Sequence, residues 1–193
     1  LLYTGARSNE ICGLRCDDIS DGVIHIRNRP EYNQRTKNTK DRQVPIHAAL
    51  LDLGFDDFCK AQMNLGYDRI FPALKLSAGK WNVNYGKQFN RSFKTKFLVG
   101  YTKEQLKAKD LHTFRKTCIF WFVKSGKIDN LIQLATLQSI VGHVEAVELG
   151  SLQASLQSSQ LTIEGYGGGF VVDQESLIKQ LDYDVDLSPL LTK

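Results

Sequence analysis

Residues 3–19 read Tyr-Thr-Gly-Ala-Arg-Ser-Asn-Glu-Ile-Cys-Gly-Leu-Arg-Cys-Asp-Asp-Ile. Ser8 is expected to cap a short helix that runs to Leu14, because its hydroxyl can accept a hydrogen bond from a free amide of the first turn. Arg7 then lies at the start of this helix, where a guanidinium can bind a phosphate at two points and the helix N-terminus adds a favourable potential. Glu10, one turn later, can orient Arg7 through an ion pair or can be an ordinary surface acid.

A small antiparallel sheet is predicted after this helix. Residues 23–26 and 42–46 are rich in β-branched side chains and form an outgoing and a returning strand. The segment 36–41, Thr-Lys-Asn-Thr-Lys-Asp, lies between them and is a polar turn. The resulting hairpin has a basic tip that carries Lys37 and Lys40.

The remaining pattern is mostly helical. Helices are predicted over residues 47–65, 85–99, 113–123, 129–141 and about 174–181, from apolar residues at helical spacing. Residues 145–160 are rich in Ser, Gln and Leu and fit either a helix or an ordered loop. The expected fold class is α+β, a mostly helical domain with a small antiparallel β-sheet.

Length and composition favour a globular chain without a membrane or metal requirement. The 193 residues fit one domain, and 42% apolar with 24% charged residues are ordinary values. The longest apolar run, 118–123, is far too short to span a bilayer, and no signal peptide opens the chain, so a cytoplasmic location is expected. The four cysteines lack zinc-ligand spacing, which predicts reduced, buried thiols and no metal site.

The charge distribution favours a polyanionic partner. Residues 1–130 contain 23 Lys or Arg and 13 Asp or Glu, a net charge of +10, whereas residues 131–193 contain 2 and 8, a net charge of −6. Basic surface on the first two-thirds of the chain suits DNA, although basic domains without such a partner are common.

Two further clusters carry candidate phosphate ligands. His112 and Arg115 are three residues apart in a predicted helix, so both side chains can reach one phosphate. An isolated His-x-x-Arg is more often structural than catalytic. Val141-Gly142-His143 ends the next predicted helix with a His directly after a glycine, which alone is an ordinary helix end.

Taken together, these segments resemble the tyrosine recombinase, or phage integrase, family. Residues 3–19 are similar to the family's first box, which makes Arg7 the first catalytic Arg. Arg42-Gln43-Val44-Pro45-Ile46 resembles the strand after the family's catalytic Lys hairpin, which gives Lys37 the Lys role, with Lys40 as the alternative.

The second half of the resemblance follows in the family's order. Residues 111–116 are similar to the second box, with His112 and Arg115, and residues 141–143 resemble the Leu-Gly-His that follows it. Four weak motifs in the correct order over residues 3–143 make coincidence a poor explanation. The resemblance implies the catalytic core fold of tyrosine recombinases.

The nucleophile is the point at which the sequence departs from the family. In most members the tyrosine lies closer to the last catalytic His, whereas here Tyr166 follows His143 by 23 residues. An insertion between about 144 and 160 explains the spacing, and Thr162 keeps its place four residues before the tyrosine. The only later tyrosine, Tyr183, lies among Asp182, Asp184 and Asp186, whose charge would repel a phosphate.

The resemblance implies a mechanism without metal or ATP. Tyr166 would attack the scissile phosphorus to give a 3′-phosphotyrosine and a free 5′-hydroxyl. Arg7 and Arg115 would hold the non-bridging oxygens, and Arg115→Ala is expected to abolish cleavage while leaving the fold intact. The implied site residues are Arg7, Lys37, His112, Arg115, His143 and Tyr166.

The resemblance also implies domain organisation and partners. Residues 1–173 would form the catalytic domain, and residues 174–193 a C-terminal helix and tail that packs on its own or a neighbouring protomer. Members of the family usually carry an N-terminal DNA-binding domain as well, which is expected to be missing from this sequence. Double-stranded DNA is the expected partner, with a tetramer on DNA for the full-length protein. Two rivals stay open: a type IB topoisomerase-like enzyme, and a DNA-binding protein of the same fold that has lost catalysis.

Overall fold

The computed structural model describes residues 1–37, 39–128, 131–142, 173–184 and 187. Within them, the strands are β1 (Ile19–Ser20), β2 (Val23–Ile26) and β3 (Arg42–Pro45). The helices are α1 (Ser8–Cys12), α2 (Ala48–Asp52), α3 (Phe55–Asn64), α4 (Val83–Gln88), α5 (Lys94–Phe97), α6 (Lys103–Lys107), α7 (Leu111–Lys124), α8 (Leu131–Val141) and α9 (Gln174–Ile178). The predicted mostly helical α+β fold with a small sheet is confirmed.

The sheet is antiparallel throughout, in the order β1-β2-β3. Asp21 and Gly22 join the first two strands with positive φ angles of 52° and 73°, the geometry that suits a tight hairpin. Ile24 pairs with Val44, and both are buried. The inner face of the sheet therefore belongs to the hydrophobic core, while the long connection from β2 to β3 carries the basic hairpin.

The core joins this sheet to the C-terminal helices. Phe122 of α7 and Leu137 of α8 are fully buried, and α8 packs on β3. Helix α9 packs on both α8 and β3, and its Leu177 is buried. The Gln174 side-chain amide donates to the Ser139 hydroxyl at 2.9 Å. Residues 174–178 thus dock on the same chain.

Several helix boundaries differ from the predicted ones for identifiable reasons. The N-cap of α1 is Arg7, not Ser8, because the Glu10 carboxylate accepts a hydrogen bond from the backbone amide of Arg7 at 2.8 Å. The predicted helix 47–65 is divided into α2 and α3 at Gly54, whose φ is +77°. Helix α7 begins at Leu111, two residues before the predicted start, because the Asp110 carboxylate accepts from the first free amides.

The predicted helix 85–99 is also interrupted. A π-helical turn, Phe89–Phe93, joins α4 to α5, and the stacked Phe89 and Phe93 rings lie 4.8 Å apart within it. Such turns insert a residue into the helical ladder, which apolar periodicity does not reveal. Helix α6 was not predicted; its Thr102 cap and Gln105 form a reciprocal capping box.

Candidate active site

A buried ion-pair network lies at the start of α1. The Arg7 guanidinium contacts the Glu10 carboxylate at 3.2 Å. The Arg42 guanidinium donates to both carboxylate oxygens, at 3.1 and 2.5 Å. Only 2% of the Glu10 side chain is exposed, against 23% for Arg7. Of the two interpretations of Glu10, orientation of Arg7 is therefore the one that the structure supports.

The network keeps Glu10 ionised. Burial favours the neutral acid, but the hydrogen bond and charge of Arg42, followed by the amide and charge of Arg7, outweigh it. The pKa of Glu10 consequently lies below its ordinary value. The carboxylate offsets part of the positive charge of two arginines, and the partly exposed Arg7 remains accessible to an anion.

Arg115 connects three separate segments. Its residue surface is 3% exposed, and its guanidinium donates to the carbonyl oxygens of Gly5, Val141 (2.5 Å) and Gly142 (3.1 Å). These bonds bring α7, the loop before Arg7 and the end of α8 together. Arg115→Ala is therefore expected to lower stability as well as cleavage, because the buried carbonyls would lose the guanidinium that donates to them.

Two glycines allow this close approach. Gly5 and Gly142 have φ angles of +58° and +63°, the left-handed region that favours glycine. A Cβ at Gly5 would lie 2.6 Å from Val141 Cγ1, and one at Gly142 would lie 3.1 Å from the Arg42 guanidinium. Both positions therefore favour glycine for backbone conformation, and Gly5 also needs it for space.

The hairpin that carries Lys37 is anchored by a buried aspartate. Asp18 is fully buried and accepts from the Arg15 amide at 2.8 Å and the Gln34 side-chain amide at 2.6 Å. It also pairs with Arg27 and Arg29. These contacts attach the chain before the turn to the segment after α1. Lys37 and Lys40 are both exposed in the turn that leads into β3.

His112 and Arg115 lie one turn apart on α7, as predicted, but in different environments. His112 is exposed, whereas Arg115 is buried. The amides of His112 and Thr113 both donate to the Asp110 carboxylate, at 2.9 and 3.2 Å. This cap fixes the first helical turn and with it the backbone of His112.

The two remaining site predictions, His143 and Tyr166, lie outside the described residues. The structure does place Gly142, the residue before His143, against Arg115 and Arg42. The chain therefore leaves α8 beside both arginines.

The alternative nucleophile, Tyr183, is engaged elsewhere. Its hydroxyl donates to the Leu2 carbonyl at 2.9 Å, and its ring packs edge-on against Tyr3 and Trp121. Burial, followed by the neighbouring Cys118 thiol, raises the pKa of Tyr183 above its ordinary value. A half-buried phenol that resists ionisation is a poor nucleophile.

The cysteines match the expectation of buried thiols. All four are free and buried, and burial raises the pKa values of Cys12, Cys59 and Cys118 to about 11. Such thiols stay protonated at neutral pH and are poor nucleophiles. Among the residues that the structure describes, no cluster of His, Cys, Asp or Glu could hold a metal ion.

The sequence did not reveal the role of Arg42, although a signal was present. Side chains alternate along a strand, so Arg42 shares a face with Val44, which is fully buried. A charge on an inward face needs a buried partner, so the pattern indicated a buried acid without identifying it as Glu10.

Within this arrangement the partly exposed Arg7 is accessible to a phosphodiester. Arg7 and Arg42 share one carboxylate, and Arg115 holds the adjoining backbone at Gly5. Arginine stays charged at physiological pH and its planar fork matches phosphate oxygens.

Comparison with known proteins identifies a family for most of the chain. The model of the phage integrase family matches residues 1–149, which include every described candidate site residue. Neither a curated protein nor a solved structure matches the chain. Across the described ranges, no helix is long and apolar enough to cross a membrane.

Proposed function

Because the chain belongs to the phage integrase family, we propose that it is an active tyrosine recombinase that cuts and rejoins double-stranded DNA through a 3′-phosphotyrosine, without metal or ATP. Family membership supports DNA binding and a recombinase function in general. The observation that carries the catalytic proposal is the pair of hydrogen bonds from Arg115 to the carbonyls of Gly5 and Gly142. These bonds connect the second family box to the first box and to the end of α8.

In the proposed first step, the Tyr166 oxygen attacks the scissile phosphorus. A bond from this oxygen to phosphorus forms as the bond from phosphorus to the 5′-oxygen breaks. His112 accepts the tyrosine proton or holds the phosphate, and Lys37 gives a proton to the departing 5′-oxygen. A 5′-hydroxyl later attacks the phosphotyrosine and reverses these transfers, so the phosphodiester energy is conserved.

The basic residues stabilise the charge that builds on the phosphate. Arg7 is partly exposed beside Glu10 and suits direct contact with a non-bridging oxygen. Arg115 donates to three carbonyls, so the guanidinium proposed to hold a non-bridging oxygen is also the one that fixes the backbone around the pocket. His143 would donate a further hydrogen bond from the chain that follows Gly142.

A second basic surface would hold the duplex outside the reaction centre. The segment 83–109 contains seven Lys or Arg and one acidic residue, Glu104. Its Lys87, Arg91 and Lys96 are exposed. Cations of this kind neutralise backbone phosphates and release counterions, so DNA affinity should fall steeply with salt.

The full-length protein would act as a tetramer on DNA in the cytoplasm. Under this proposal residues 1–173 are the catalytic domain and residues 174–193 a C-terminal helix and tail. A type IB topoisomerase-like enzyme would relax supercoils without recombining two sites, and a two-site recombination assay separates it from an integrase.

The experiment that tests the proposal is covalent trapping. A randomised pool of nicked duplexes, in which the short strand beyond the scissile phosphate diffuses away after cleavage, is incubated with the protein and resolved under denaturing conditions. The wild type and Tyr183→Phe should form an adduct, whereas Tyr166→Phe should bind DNA without forming one. An adduct that survives Tyr166→Phe would reject this nucleophile, and retained DNA binding without any wild-type adduct would indicate a protein that has lost catalysis.

A further inference from the structure

Arg42 makes a set of contacts that no catalytic assignment uses. Its side chain is 8% exposed and grips both oxygens of Glu10, at 3.1 and 2.5 Å. Its Nε donates to the Ile140 carbonyl at 2.8 Å, in the last turn of α8. The same guanidinium lies against Gly142. One side chain thus bridges β3, α1 and the end of α8.

Each of these contacts leads to a residue of the proposed phosphate pocket. Glu10 holds Arg7 at 3.2 Å. Gly142 directly precedes His143, and β3 begins five residues after Lys37. The three segments are distant in sequence, since Arg42 and Ile140 are 98 residues apart.

The geometry suits arginine in particular. Two N–H groups match the two oxygens of Glu10, while a third reaches a carbonyl at the C-terminus of a helix, where backbone acceptors lack helical partners. A positive charge at this end of a helix also interacts favourably with the helix dipole. A lysine carries one nitrogen and cannot make the fork and the Nε contact together.

We propose that Arg42 is a positioning residue, which fixes the Glu10–Arg7 pair, the Lys37 hairpin and the exit of α8 relative to one another. The inference rests on the proposed function, because that function is what makes this pocket a phosphate-binding site. Arg42 acts through Glu10 and the backbone and does not itself touch the phosphate. Displacements near 1 Å in a reacting constellation reduce rates by about 10²-fold, so this alignment matters for chemistry.

A purely structural ion pair is the competing explanation, and Arg69 provides the matched control. Its guanidinium donates to the carbonyls of Cys12 and Leu74, at 2.7 and 2.8 Å, and stacks on Trp81. Arg69 therefore also joins separate segments through backbone carbonyls, but at the opposite end of α1 from Arg7. Arg69→Met reproduces a loss of structural contacts without touching Glu10.

The test measures inorganic phosphate binding by NMR, through the side-chain Nε–H signal of Arg7. Phosphate should shift this signal in the wild type and in Arg69→Met with affinities within about twofold. Arg42→Met should bind about tenfold more weakly or worse, because Glu10 loses the partner that fixes it. Wild-type affinity in a folded Arg42→Met, or no phosphate response at Arg7 in the wild type, would overturn the inference.

Arg42→Lys keeps a cation beside Glu10 and serves if Arg42→Met does not fold. It should bind phosphate more weakly than the wild type and form the covalent adduct about tenfold more slowly. If this variant kept the phosphate affinity and the adduct rate of the wild type, positioning by the two-point contact of Arg42 with Glu10 would be rejected. A wild type that binds phosphate but forms no DNA adduct would reject the recombinase proposal alone, since the phosphate comparison does not depend on cleavage.

Discussion

Replacing Arg115 by Met should destabilise the chain by about 4 kcal/mol. Met is an unbranched apolar side chain with no donors, so the carbonyls of Gly5, Val141 and Gly142 would lose their charged partner in a site that is 3% exposed. Each buried acceptor left without a partner costs about 1–3 kcal/mol, and relaxation or water entry recovers part of the sum. For a domain of this size, about 4 kcal/mol lowers the melting temperature by roughly 8–16 °C.

Urea and thermal unfolding, followed by circular dichroism, measure this loss. Arg7→Met is the control, because Arg7 is partly exposed and Glu10 keeps Arg42 when Arg7 is removed. The control should lose about 1 kcal/mol or less. An Arg115→Met protein as stable as Arg7→Met would refute the structural role of Arg115, and cleavage by the variant should be assayed below its melting temperature.

Three other predictions concern the same region. Gly5→Ala should destabilise the chain by about 1–3 kcal/mol more than Gly22→Ala, since both have positive φ but only the first added Cβ meets another side chain; equal losses would contradict the steric argument. Glu10→Gln should flatten the acid side of the curve of unfolding free energy against pH. The pKa of Glu10 is lowered on folding, so the wild type has this stability in full above the ordinary value of 4.5 and loses it as pH falls through the folded value; an unchanged acid limb would argue against an ionised buried Glu10. Tyr183→Phe should lose about 1 kcal/mol by urea unfolding, from the bond to Leu2, and a loss of adduct formation at full stability would assign it a catalytic role instead.

Local patterns predicted the fold class and most elements, but not α6 or the interruptions of the predicted helices 47–65 and 85–99. The β-branched residues in 23–26 and 42–46 and the helical spacing of apolar residues elsewhere identify elements whose residues are close in the chain. Their boundaries depended on side chains that cap helices, such as Glu10 at Arg7 and Asp110 at α7. Several residues can serve as a cap, so the sequence predicted the helices better than their ends.

The candidate site was only partly predictable, because its organisation depends on contacts between distant segments. The positions of Arg7, His112 and Arg115 follow from motif resemblance. That Arg115 is buried against Gly5 and Gly142 depends on the packing of α7 beside α8. A motif predicts which residue type stands at a position but not which of its donors are already engaged.

The covalent link to DNA is the central claim, and mass-spectrometric mapping of the trapped adduct tests it most directly. The wild-type adduct is digested with protease and nuclease, and the nucleotide-modified peptide is sequenced. The proposal predicts a phosphonucleotide on Tyr166 and an unmodified Tyr183. A modified Tyr183, another modified residue, or no modified peptide in protein that binds DNA would contradict the account.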